Sequence, residues 1–222
     1  MDIQKLIDKI KGDKPKYLEN HFSKEEITSF TFQKKIFSID SVLQDNPPIL
    51  SVAAFYGAQK CLKFLIENGA SLAKLDNFKR SVQYFAVAGG YIPIIEILSS
   101  YKLEFSDYTH LAAGLGNLAI LKYLIHELKC DPTSTDALGN TLLHNVAIGG
   151  DSKTAKYLLD NEFIDVNCRD YNIFFISLME YHIYVYNTPL HLAVYHGNLN
   201  VSKLLLKTPG IDLNPTNVFN FY

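Results

Sequence analysis

Five stretches of this chain repeat one pattern, a run of small and apolar residues closed by a glycine. That repetition restricts the available folds more than any other feature. The stretches end at Gly57, Gly90, Gly116, Gly150 and Gly197, as in Ser51-Val52-Ala53-Ala54-Phe55-Tyr56-Gly57 and His191-Leu192-Ala193-Val194-Tyr195-His196-Gly197. The intervals between these glycines are 33, 26, 34 and 47 residues. After each glycine comes apolar spacing of the helical kind, for example Cys61-Leu62-Lys63-Phe64-Leu65-Ile66 or Ile120-Leu121-Lys122-Tyr123-Leu124-Ile125. The pattern predicts a short helix whose small residues admit a close neighbour, a sharp reversal at glycine, and a longer amphipathic helix. Such a pair cannot bury its own apolar face, so the units must stack. Ser81, Thr141 and Thr188 are placed to cap three of the short helices, with Pro189 at a first helical position.

The segment Thr188-Pro189-Leu190-His191-Leu192-Ala193 is close to the ankyrin repeat signature, and Thr141-Leu142-Leu143-His144 is a variant of it. Residues 46–222 therefore resemble that family. The resemblance implies an all-α solenoid of helix–turn–helix units joined by short β-hairpin fingers. The first two units depart from the family pattern, with Ser51 and Tyr84 in the histidine position. Residues 1–45 are expected to form a helical N-terminal cap of degenerate, repeat-like character. Ile3, Leu6, Ile7 and Ile10 sit at helical spacing, and Ser23-Lys24-Glu25-Glu26 has the form of a capping box opening a helix to about Phe37.

Two intervals break the period. The interval of 26 removes about seven residues between Tyr101 and His110, where a finger belongs, and predicts a notch beside the neighbouring fingers. The interval of 47 adds 47 − 33 = 14 residues at about 172–186. This insertion, rich in Ile, Phe and Tyr, reads as an extended hairpin turning near Glu180-Tyr181. The functional reading is an aromatic arm that touches a partner; the competing readings are an arm folded back on its own array and an aberrant segment interrupting an otherwise normal finger. Beyond Asp212-Leu213-Asn214 the next helix pair does not follow, which leaves Leu204, Leu205 and Leu206 without a covering neighbour. Either Val218 to Tyr222 fold over that face, or the chain is part of a longer array, which self-association through the uncapped end would favour.

Several function classes are disfavoured. A formal net charge of −2 with 20% charged residues is unsuited to holding nucleic-acid phosphates. The longest uncharged apolar stretch, Ser81 to Ile95, is short of the roughly 20 residues a membrane span needs. No apolar run follows Met1, and the three cysteines are odd in number and far apart, so the expected location is the cytoplasm or nucleus with thiols reduced. His110, His144 and His191 occupy one position in three repeats. Units stacked roughly 10 Å apart cannot bring those rings to one metal ion. No nucleophile elbow, phosphate loop or nucleotide fingerprint is present, and no cofactor is implied.

The expected function is a non-catalytic scaffold for protein–protein interaction. In the family it resembles, contacts come from the concave face and the finger tips. Carried to this chain, those positions single out Phe55, Tyr56, Phe78, Arg80, Leu115, Tyr195 and His196 as partner-binding residues. A rival reading makes the chain a spacer of a longer array. An enzyme with its site in the first 45 residues or in the insertion is disfavoured, because no group of catalytic residues occurs there.

Overall fold

The structure is a computed structural model that describes residues 3–32, 45–171 and 186–214, together with the backbone of 173–176 and 181–184. It is mostly helical. The first three helices are α1 (Ile3–Lys11), α2 (Pro15–Glu19) and α3 (Lys24–Ser29). Five helix pairs follow: α4 (Ile49–Phe55) with α5 (Gln59–Glu67), α6 (Val82–Gly89) with α7 (Ile92–Ser100), α8 (Thr109–Gly114) with α9 (Leu118–His126), α10 (Leu142–Gly149) with α11 (Ser152–Asp160), and α12 (Pro189–Tyr195) with α13 (Leu199–Leu205). The glycine closing each short helix has left-handed φ, from 66° at Gly116 to 83° at Gly150. Only a residue without Cβ adopts that reversal freely, which is why glycine marks the period. Contacts divide the chain into two compact units, Met1–Glu104 and Phe105–Tyr222.

In the first unit α1 packs on α4 and α2 packs on α5. The buried residues of α1 are Leu6, Ile7 and Ile10, as the spacing requires. The Asp13 carboxylate accepts from Lys60 N (3.1 Å) and Cys61 N (2.8 Å), satisfying first-turn N–H groups of α5 that lack a cap of their own. The capping box is present, with Glu26 N donating to Ser23 Oγ (3.2 Å) and Ser23 N donating to Glu26 Oε2 (2.8 Å). The helix it opens is shorter than expected and stops at Ser29, where Phe30 turns to extended backbone. Residues 33–44, the remainder of that expectation, lie outside the described residues.

The short helices stack side by side within each unit, α4 on α6 in the first, and α8 on α10 and α10 on α12 in the second. All of Ile49 to Ala54 are buried in α4. At two positions the approach is backbone to backbone: a Cβ on Gly89 would fall on the Phe55 carbonyl, and one on Gly149 would fall on the Gly114 carbonyl. The residue three before each closing glycine faces this stack. Ala54, Val87, Ala113 and Ala147 are fully buried, while Val194 in the last pair is 60% exposed. In the second unit Asn198 Nδ2 clamps the last pair to its predecessor by donating to Ala147 O (2.7 Å) and Ile148 O (2.9 Å).

Among the described residues the regular connections hold turns, and strands occur only in the insertion. There β1 (Ile173–Ile176) pairs antiparallel with β2 (Tyr181–Tyr184), placing Ile173 opposite Tyr184 and Ile176 opposite Tyr181. The expected hairpin is therefore present, but Tyr181 belongs to a strand and not to the turn. Residues 177–180, Glu180 included, lie outside the described residues.

Gly149 and Gly114 make a paired test of the stack. Alanine at 149 must displace backbone and should lower stability by about 1–3 kcal/mol, the usual range for overpacking. At Gly114 the added Cβ meets nothing closer than 3.8 Å, so Gly114→Ala should be neutral or slightly stabilising. Urea denaturation of the two variants reads the difference directly.

Candidate partner-binding surface

The finger turns are built by one aspartate each. Asp76 Oδ1 accepts from Phe78 N (3.0 Å) and Arg80 N (2.8 Å), and Asp76 N donates to Arg80 O (3.2 Å). Asp136 repeats the set with Leu138 N (2.9 Å), Asn140 N (2.9 Å) and Asn140 O (3.0 Å). The residue before the closing partner has positive φ in both, 60° at Lys79 and 74° at Gly139. The third finger of this form contains the insertion and keeps the same closure. Asp170 N donates to Asn187 O (2.9 Å), Asn187 N donates to Asp170 Oδ1 (2.7 Å), and Tyr186 has φ 52°.

The closing partner follows its aspartate by 4 residues in the regular fingers and by 17 here, so 17 − 4 = 13 residues are added. Residues 172–185, 14 in number, stand in place of the single tip residue, Phe78 or Leu138 in the sister fingers, and leave the base intact. Fingers also bond to one another within each unit: Asn77 N donates to Asp45 O (3.0 Å), and Tyr171 N to Leu138 O (3.1 Å).

Behind the turns that precede α10 and α12 a histidine locks the start of the short helix, whereas Tyr84 holds that place behind the Asp76 turn. His144 Nδ1 accepts from Thr141 N (3.1 Å), so its Nε2 carries the proton and donates to Asn187 O (3.0 Å). His191 Nδ1 likewise accepts from Thr188 N (3.2 Å), and His110 Nε2 bonds Ser134 O (3.1 Å). Burial pushes the His144 imidazole below its ordinary value, against the opposing pull of the Asn187 carbonyl and of Asp170. For Asp136, burial raises the carboxyl, but the hydrogen bonds from Asn140, Leu138 and Asn145 outweigh it and hold the group below the usual carboxylate range. Burial is also the main cause that lifts Cys61 to about 12 and Cys168 to about 11, so neither thiol is a ready nucleophile.

The seven singled-out side chains fall into two groups. Tyr195 (84%), Phe78 (67%) and Leu115 (54%) are exposed, and His196 is exposed beside Tyr195, their rings edge to face. The other three are engaged locally. Phe55 and Tyr56 are half-buried edge to face, with the Lys11 ammonium 4.4 Å above the Tyr56 ring. Arg80 bonds Asp76 Oδ2 (2.6 Å), approaches Asp45 Oδ2 (3.6 Å) and lies over the rings of Phe85, Tyr84 and Phe78. It fastens its own finger. The aspartate closure itself was missed from the sequence, although an Asp five residues before the cap, at Asp76 before Ser81 and Asp136 before Thr141, is the signal that marks it.

In the second unit an open cavity of about 570 Å³ lies between a 3₁₀ turn, Ser106–Tyr108, and the following finger, bordered by Asp107, His110, Lys129, Asp131 and Asp136. Asp131 and Asp136 already accept backbone N–H groups, and His110 Nε2 bonds a backbone carbonyl. Among the described residues no three metal-binding side chains come together, and no helix is long and apolar enough to cross a membrane.

Helix pairs, closing glycines and capped turns recur together. A family model described as ankyrin repeats (3 copies) matches residues 109–217, and one described as ankyrin repeats (many copies) matches residues 50–98. The chain is an ankyrin repeat protein. Ankyrin repeats generally mediate protein–protein interaction, and the family is typically non-catalytic. No curated protein matches the chain significantly.

Two of the depressed groups, His144 and Asp136, set a pH dependence for this repeat protein. Each binds its proton more weakly folded than unfolded, so its stabilisation is present above the unfolded value and is lost as pH falls. The urea midpoint should be level between about pH 7 and 8, decline below about 6.5 as the unfolded chain protonates His144, decline again below about 4 through Asp136, and fall above about 8.5 as the unfolded chain ionises Cys61 and Cys168. Asp136→Asn keeps one acceptor oxygen but no titrating carboxyl, and should flatten the second decline.

Proposed function

We propose that residues 46–222 are a non-catalytic scaffold that binds a partner protein through the short-helix face, concave in arrays of this family, and through the finger tips. Residues 1–45 serve as its N-terminal cap. One observation carries the reading: the short helices α4, α6, α8, α10 and α12 contain no Asp, Glu, Lys or Arg, yet several end in exposed apolar or aromatic side chains. An uncharged surface with aromatic anchors suits a partner recognised by shape and apolar burial. Leu115, Tyr195 and His196 are the anchors of the second unit. In the first unit Phe78 supplies the tip contact with Arg80 over its ring, and Phe55 and Tyr56, half-buried at the end of α4, add to the short-helix face. The cap assignment is supported by α1 and α2 on the first helix pair and by Asp13 on the start of α5.

The partner is a protein presenting an apolar or aromatic patch, with no requirement for nucleic acid or a cofactor. The chain, tagged and expressed in its source cells, should capture such a protein, and recovery should be insensitive to salt. Leu115→Asp and Tyr195→Ala should each weaken binding of the captured protein by about ten- to thirty-fold, the cost of losing a central anchor. Raising the salt tenfold should change affinity by about twofold at most, because no charged pair steers the contact. Equal capture by both variants, with helicity unchanged, would exclude this surface.

A further inference from the structure

We propose that the arm formed by β1 and β2 pairs edge to edge with the arm of a second copy of this chain, giving a four-stranded antiparallel sheet about a two-fold axis. The proposal stands apart from the partner-binding reading and rests on other residues.

The root of the arm is fixed. Asp170 and Asn187 close the finger base with the same hydrogen bonds as the regular fingers, and Tyr171 N is tied to Leu138 O. The inserted residues therefore begin where the sister fingers place their exposed tips, Phe78 and Leu138. Among the described residues β1 and β2 pair with each other and with no other strand. Each strand thus keeps one row of backbone N–H and C=O groups outside the ladder. Two strands of four residues are marginal in water, and three or more strands are the ordinary minimum for independent stability.

Natural sheets guard such edges with lysine, proline or a bulge. Here the strand sequences Ile173-Phe174-Phe175-Ile176 and Tyr181-His182-Ile183-Tyr184 contain no lysine, proline or carboxylate, and the register runs through all four pairs without a bulge. A second copy fits this edge better than an arbitrary strand, for two reasons. An antiparallel contact between identical edges is isologous, so one strand meets its own copy and every contact is made twice. Strands of β-branched and aromatic residues with no lysine or carboxylate, facing one another across the two-fold axis, also bring no like-charge repulsion from such groups and make favourable cross-strand pairs.

The test is the mass of the full chain by light scattering over a concentration series. The expected result is a rise from 25.1 kDa towards twice that value. Replacing residues 172–185 with one leucine restores a regular finger between Tyr171 and Tyr186, and this chain should stay at the monomer mass with unchanged helicity. Phe175→Lys, which lies outside every helix pair in sequence, should also abolish the rise. Val194→Asp, at the exposed last helix pair, should keep it. Amide exchange over 173–176 and 181–184 should slow as concentration increases. A full chain that remains monomeric at every concentration overturns the proposal and assigns the arm to a heterologous partner or to its own array. A rise that survives loss of the arm overturns it too, and places the association elsewhere.

Discussion

The structure depends on short helices lying side by side at backbone distance. Helices of six to nine residues are too brief to persist alone, so each is held by its lateral neighbour. Gly89 against Phe55 and Gly149 against Gly114 mark where that approach is closest. The small or aliphatic residue three before each closing glycine fills the same seam, at full burial from Ala54 to Ala147. The array is thus specified by how little side chain it places between neighbours. Val194 shows the converse: with no described helix beyond it, the same position stands open to solvent.

Polar groups organise what the apolar seam cannot. The first turn of a helix leaves N–H groups without partners. Ser81, Thr188 and Asp151 satisfy them locally, whereas α5 draws on Asp13 from 46 residues before its first residue, Gln59. Finger turns use a carboxylate in a related way, as an acceptor for two N–H groups of a backbone that must visit left-handed φ. Histidines at 144 and 191 then join turn to helix, each accepting a backbone N–H at Nδ1. Each of these side chains is committed to backbone groups of the repeat frame.

Much of this could be read from the sequence, and the reason is physical. The period, the closing glycines, the helix caps and the Ser23–Glu26 box are local, so the residues that make them lie within one turn of each other. The shortened finger and the hairpin were legible as departures from a fixed interval. Long-range geometry was not legible. Nothing in Asp13 announces the α5 N-terminus, and α2 has only Pro15 to signal it. Arg80 has the residue type of a binding hot spot, but its distance to Asp76 decides that it serves its own finger. Exposure separated Tyr195, Phe78 and Leu115 from Tyr56 in the same way, since half-burial under Lys11 depends on a packing partner distant in sequence.

The closure between Asp170 and Asn187 also governs what length changes the fold can absorb. Because the chain leaves and re-enters the repeat at two bonded points, residues gained or lost between them do not alter the phase of α12. A single residue added just outside the pair would rotate Leu190, Leu192 and Ala193 out of the core by about 100°, the angular step of an α-helix. The fingertip is therefore a port in the frame, where new sequence can be tried without renegotiating the stack behind it.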